Sequence, residues 1–510
     1  MIAQFKCASE DIKGRNVLMI PVSREVPENR EISKAESTMK SQTLPIQGRT
    51  STERLLIASG LLLASIVVYT VSIAVYRLFF HPLARYPGPK LNAVSWLPGV
   101  VWTLKGRMPM ETRKLHDKYG TVVRLSPNEL AFNSHQAFQD VYGHRNGRKD
   151  LEKHPIHVGA VDPMPGVQTI SMADHANHAR QRKALSYGFS KKALWEQESI
   201  VQSFVDKLIA NVDKFAQTGE TFDIVKWYNY LTFDVIGDLS FGESFGCLDE
   251  GEFHWWPAVI FDAVKAGAIE QASRRFATAG SPTQRWLQKL AQGDLAKKRA
   301  DHLKYSRTKV MKRIENKDTD RKDFIHYILK QSEHYDLSQD EVIVNAALFI
   351  VAGSETTASS LAALTNFLLR HPEAHEKLKN EIRSTFPTIE SINLETAANL
   401  PYLSACIEEG LRVFPPAPIG FLRTQSTDDV IDGCHVPGGV RLLSFSTSSS
   451  LTPFQTAVSV SSWCSSHSSN NFEQPDAFIP ERWLEDAKFN DDKLASRPFS
   501  LGPRGCIGKE

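Results

Sequence analysis

The last dozen residues constrain this chain most: Phe499-Ser500-Leu501-Gly502-Pro503-Arg504-Gly505-Cys506-Ile507-Gly508 sets a single cysteine in a glycine-punctuated loop beside an arginine and an aromatic ring. Glycines let backbone N–H groups approach a sulfur closely, an arginine answers a carboxylate, and an aromatic ring keeps water from the sulfur. That combination suits a thiolate offered to a haem iron. A Gly/Pro loop with an unrelated thiol is the plain alternative, and the rest of the chain decides between them.

With 510 residues and 42% hydrophobic composition the chain can bury a large core. A net charge of +2 gives no reason to expect a nucleic-acid partner. The six cysteines, Cys7, Cys247, Cys406, Cys434, Cys464 and Cys506, lack C-x-x-C spacing, so neither a zinc site nor a disulfide framework is indicated. Leu55 to Val75 is an uncharged apolar run, and as a helix it spans roughly 30 Å, a bilayer core. Tyr86-Pro87-Gly88-Pro89 then forces a turn, since alternating Pro and Gly cannot continue a helix. Residues 1–54 precede the 55–75 anchor as an extension, and a catalytic domain is expected over 86–510.

Helical periodicity dominates from about residue 110 to 412, and turn-rich extended sequence is concentrated in 413–445, so a mainly α body with a small β region is predicted. One long helix is predicted from Ser338 to Arg370, opened by the capping box Ser338-Gln-Asp-Glu341 and about 50 Å long. Val342 to Ala352 is apolar almost all round, as in a buried central helix. Polar residues then interrupt it: Ala352-Gly353-Ser354-Glu355-Thr356-Thr357. A mid-helix glycine costs about 1 kcal/mol, and a buried carboxylate costs more unless paired, which points to function over a merely kinked core helix. Glu409 and Arg412 share a helix face by their i,i+3 spacing. Phe478-Ile479-Pro480-Glu481-Arg482-Trp483 follows downstream. No G-x-G-x-x-G or Walker loop occurs, so NADPH is not expected to bind this chain directly.

The ordered set F-x-x-G-x-R-x-C-x-G, A-G-x-E-T-T, E-x-x-R and F-x-P-E-R-W resembles the cytochrome P-450 monooxygenases over roughly Tyr76 to Gly508. Tyr76-Arg-Leu-Phe-Phe-His81-Pro82-Leu83 and Phe241-Gly242-Glu243-Ser244-Phe245 look most like filamentous-fungal enzymes of secondary metabolism, including trichothecene and other sesquiterpenoid hydroxylases. The resemblance implies the cytochrome P-450 fold preceded by one transmembrane helix. It implies haem b ligated axially by Cys506, with Phe499 and Arg504 beside it, and a structural triad of Glu409, Arg412 and Arg482. It further implies that Gly353 leaves room for O2, Thr356 donates a hydrogen bond to it, and Glu355 relays protons. His178, Arg182 and Arg423 are then expected at the haem propionates; His178 stands where relatives often carry tryptophan. Exposed Lys183, Lys191 and Lys192 suit a reductase dock, and Trp255 and Trp256 suit either a substrate entrance or ordinary core packing.

The expected reaction hydroxylates an apolar terpenoid or polyketide with O2, using electrons from NADPH through NADPH–cytochrome P-450 reductase. Epoxidation or desaturation stays open. The expected location is the endoplasmic reticulum membrane, single-pass, with the catalytic domain facing the cytosol. Charges flanking the span tie; the resemblance implies an amino terminus in the lumen, which basic residues in 1–38 would resist, so Met39 is read as the natural start and 1–38 as artefactual. The serine-rich stretch 440–455 is read as an unspliced insertion, with a surface loop as the alternative. Relatives continue past the cysteine into a long helix, so the chain is read as truncated. The other function class is therefore an inactive remnant that holds haem poorly.

Overall fold

The computed structural model describes residues 50–145, 147–156, 164, 166–277, 281–316, 321–424, 427–438 and 456–509. The proposed artefact 1–38 and insertion 440–455 lie outside them. The chain divides into a first unit ending at Val67 and a second, compact unit beginning at Val68.

Helix α1, Ser51–Val75, has no buried residue, and a π-helical turn, Tyr76–Phe80, extends it. Two described helices are long and apolar enough to cross a membrane: Ser51–Phe80, whose apolar window is 0% buried, and Gln339–Arg370, whose window is 56% buried. Burial separates a span from a core helix, and only the first has the surface of a span. Beyond it the Pro/Gly segment lies against the sheet: Arg124 N donates to Pro87 O at 2.8 Å. A Cβ on Gly88 would stand 2.6 Å from Arg124 O, so glycine is required there.

The main sheet holds β1 (Val122–Ser126), β2 (Glu129–Phe132), β3 (Glu152–Lys153), β4 (Arg423–Thr424) and β7 (Ala457–Val460), in the order β1-β2-β7-β4-β3. The β2–β7 pair is parallel and the others are antiparallel. β5 (Asp429–Ile431) and β6 (Cys434–Val436) make a separate ribbon. The predicted extended region supplied β4, β5 and β6, but β1–β3 fall in sequence read as helical. All four residues of β2 are buried, and four of five in β1, so the hairpin shows no alternation that would reveal a strand.

The helical body is built from α2 (His175–Ser186), α3 (Ile224–Phe241), α4 (Trp255–Arg274), α5 (Leu295–Glu315), α6 (Gln339–Arg370) and α7 (Pro401–Val413), with shorter helices between. α6 opens as predicted: Glu341 N donates to Ser338 Oγ at 3.1 Å, and Ser338 N to Glu341 Oε2 at 2.9 Å. Val342 to Ala347, Phe349 and Ile350 are buried in a core shared with α3, α4 and α5. Trp256 belongs to that core, its indole donating to His302 Nδ1 at 2.8 Å, while Trp255 is half exposed.

Candidate functional site

The cysteine loop is shaped by its backbone. Cys506 N donates to Phe499 O at 2.8 Å and Gly505 N to Gly502 O at 3.0 Å, closing a tight double turn. Gly502 has φ +66°, and a Cβ there would lie 2.1 Å from Tyr142 O, so no other residue fits. Ile507 anchors the loop in the apolar cluster that also receives Phe349 and Ile350 of α6. Cys506 itself is exposed, as is the edge of Phe499. The other described cysteines are poor thiolates: burial pushes Cys247 up to about 11 and Cys406 and Cys464 to about 12, and Cys434 is also raised. Cys7 lies outside the described residues.

Around the loop stands a group of cations. Lys153 of β3 is the cross-strand partner of Arg423 of β4, and His178 and Arg182 stand one turn apart on α2. Burial, then Arg504, Lys153 and Arg182, depress His178 to about 3, so its imidazole is neutral. Burial, then Arg423 and Arg504, depress Lys153 to about 7. Burial and Arg423 also lower Arg504 to about 10. Asp174, Asp150 and Glu152 favour the charge of Arg504, but none reaches ion-pair distance. One Arg504 Nη donates to Ala173 O at 2.8 Å, while the other is buried without a partner. Arg423 lies over the Tyr142 ring at 5.0 Å. Desolvated cations with no acid at ion-pair distance can accept a ligand with carboxylates.

Arg182 also reaches the cysteine loop from α2. It donates to Gly505 O at 2.6 Å and to Cys506 O at 3.4 Å, so its guanidinium is turned to the loop's carbonyls. Lys153 was missed because its neighbourhood with Arg423 and Arg504 comes from strand register and loop packing, which no local motif encodes.

On α6, Thr356 is exposed and its hydroxyl donates to Ala352 O at 2.6 Å. Glu355 is half-buried; desolvation raises its pKa, and Oε2 has no partner. A Cβ on Gly353 would meet Ile236 Cδ1 at 2.9 Å, which gives this glycine a packing role against α3. Glu409, Arg412 and Arg482 are wholly buried and joined: Arg412 bonds Glu409 at 2.7 and 2.9 Å, and Arg482 Nε bonds it at 3.1 Å. Two members were not foreseen: Asp491 pairs with Arg482, and Trp483 Nε1 donates to Glu409 at 2.9 Å.

The cytochrome P450 family profile matches residues 87–510. The chain belongs to the cytochrome P450 family. Cytochrome P450 monooxygenase aba2 of Botryotinia fuckeliana is 42% identical over 452 residues, 87% of this chain and 82% of the relative. Cytochrome P450 monooxygenase astA of Talaromyces wortmannii is 39% identical over 451 residues, 88% of this chain and 86% of the relative. Cytochrome P450 monooxygenase traB of Penicillium crustosum is 39% identical over 469 residues, 88% and 87% of the two chains. This P450 is therefore an oxidoreductase of the fungal secondary-metabolism type, and its family implies a haem-thiolate iron cofactor. The exposed thiol, the unpaired Arg504 Nη and a cation group with no acid at ion-pair distance fit that cofactor.

Proposed function

We propose that this P450 is a membrane-anchored monooxygenase that hydroxylates an apolar terpenoid or polyketide. Cys506 is the axial ligand, and electrons come from NADPH through NADPH–cytochrome P450 reductase. The observation that carries the reading is the pairing of an exposed thiol on a hydrogen-bonded loop with desolvated cations that have no acid at ion-pair distance.

When bound, haem supplies the dioxygen chemistry: one oxygen atom enters a C–H bond and the other leaves as water, consuming two electrons and two protons. The chain's residues manage the rest. The Cys506 amide, fixed on Phe499 O, sets the sulfur's direction. Glu355, whose carboxyl holds its proton to a higher pH than an exposed glutamate, stores protons for delivery. Thr356 keeps its hydroxyl on Ala352 O, from which it can swing one hydrogen bond toward a ligand in the helix groove. Glu409, Arg412 and Arg482 hold the core without touching substrate.

The anchor is α1, and the catalytic unit faces the cytosol from the endoplasmic reticulum membrane. Leu97, Val101, Trp286 and Leu290 are exposed on two short helices of the catalytic unit and suit contact with a lipid surface. Exposed Lys183, Lys191 and Lys192 suit an acidic reductase face.

The test is a carbon-monoxide difference spectrum of the reduced protein, expected to show a thiolate-ligated haem. Cys506→Ala should abolish that signature and Cys434→Ala should keep it. Retention of the thiolate spectrum without Cys506 removes the assignment.

A further inference from the structure

Between Arg54 and Glu111 the chain carries Arg77, Arg85, Lys90, Lys105 and Arg107 and no aspartate or glutamate. Whatever neutralises the cations at the end of the apolar helix is therefore not supplied by their sequence neighbours. We propose that the joint where this helix ends binds the phosphate of an anionic membrane lipid, with Arg77 as the contact residue and Lys90 as a second cation. The proposal rests on the membrane-anchored reading above and adds a ligand to it.

The helix end needs outside donors. His81 N donates to Tyr76 O at 2.8 Å across the π-helical turn, and Pro82 has no N–H, so Arg77 O is left without a helical partner. Arg124 of β1 supplies one: its Nη1 donates to Arg77 O at 2.8 Å, while Nε and Nη2 hold Pro127 O at 3.2 and 2.8 Å. The Arg77 guanidinium donates through Nη1 to Val94 O of the short helix Lys90–Val94. Asn92 Nδ2 ties that helix to Leu125 O of β1 at 2.9 Å. Lys90 opens it, one turn before the carbonyl that Arg77 grips, and its side chain is exposed.

Carbonyls alone thus fix two arginines in one place. Neither has a carboxylate at ion-pair distance among the described residues. Arg124 is buried, and burial, then Arg77, lower it to about 10. Burial, then Arg124, depress His81 to about 4, so its imidazole is neutral. Val94 O is the one hydrogen-bond acceptor of Arg77 among the described residues, which leaves most of a five-donor fork for a phosphate that takes two N–H groups at once. Phe79 and Phe80 are 71% and 73% exposed beside Arg77 in the chain, and Leu91 is 66% exposed on the helix it grips. An apolar rim around a cation favours an anion that brings acyl chains over one free in water. The plainer role is a clasp, in which the two guanidinium groups only cap helix carbonyls.

The test reads lipid selectivity and needs no haem. The full chain is reconstituted in phosphatidylcholine nanodiscs, and spin-labelled phosphatidic acid and phosphatidylcholine are compared for the fraction immobilised on the protein. The parent should hold phosphatidic acid about fivefold more strongly, the worth of one interfacial cation. Arg77→Gln, which can still donate to Val94 O, should bring the ratio close to one, and Lys90→Gln should lower it in part. Arg77→Lys should keep most of it, and Arg107→Gln, a residue already paired with Glu111, should change nothing. An unchanged ratio in Arg77→Gln would leave the joint a clasp and overturn the proposal. Loss of the parent's preference on adding inorganic phosphate, but not chloride of equal ionic strength, would assign the site to a soluble anion and overturn the lipid. Release of the parent from bilayers by alkaline carbonate would instead bring down the membrane-anchored reading itself.

Discussion

Two buried charge groups in this P450 obey opposite rules. At α7, Glu409 and Asp491 are matched by Arg412 and Arg482, and the remaining guanidinium N–H groups find the carbonyls of Ser466, Pro475, Ala477 and Glu473. The chain closes this network itself. Beside the cysteine loop, Lys153, Arg423 and Arg504 meet without a matching acid, and an arginine nitrogen is left over. A neutral, saturated network stabilises a fold, whereas a charged, unsaturated one costs the empty protein stability and recovers it with a ligand. Desolvated charge thus signals architecture or binding according to whether its partners are all supplied by the chain.

The strongest way to break this contrast is Glu409→Ala, which leaves two guanidinium groups buried without their carboxylate. Unfolding free energy should fall by about 3–5 kcal/mol, and urea titration of the soluble fraction checks it. A loss under about 1 kcal/mol would mean that the network is not closed as described.

Arg504→Gln should act with the opposite sign on the empty chain. Relief of repulsion should stabilise the haem-free protein by up to about 1 kcal/mol while haem binds more weakly, as read by urea midpoints with and without haem. Destabilisation of both forms would place Arg504 with the structural charges.

A pH scan sharpens the same point. Lys153 is depressed from 10.5 to about 7, so between those values the unfolded chain carries a proton that the folded chain has released. Stability of the haem-free protein should therefore rise as pH climbs through that window, and below pH 7 the penalty is fully present. Arg423, Arg504 and His178 are the groups facing it, and Lys153→Met should flatten the rise.

The smallest effect on structure is expected from Thr356→Ala, which belongs to neither group. Haem content and urea midpoint should stay within error, while NADPH consumption uncouples from product and appears as hydrogen peroxide. Unchanged coupling would leave Thr356 as a helix residue bonded to Ala352 O.

Much of the molecule was legible as local pattern. The cysteine loop, the capped helix from Ser338, the interruption at Gly353 to Thr357 and the apolar run before Tyr76 are all short-range signals, since turn conformation, helix capping and hydrophobic length are set by neighbouring residues. The sequence by itself determined these elements, their order, and which cysteine stands in the glycine-rich loop. Tertiary structure alone decided the partners of the charges. β7 enters the sheet beside β2 more than 300 residues after it in the chain, and with β4 this brings Arg423 opposite Lys153. Packing of α2 against the loop gave Arg182 two carbonyls, and Asp491 reached Arg482 from an irregular segment without a motif. Charge pairing depends on distance and desolvation, both products of long-range register, so no spacing along the chain could have distinguished the closed network from the open one.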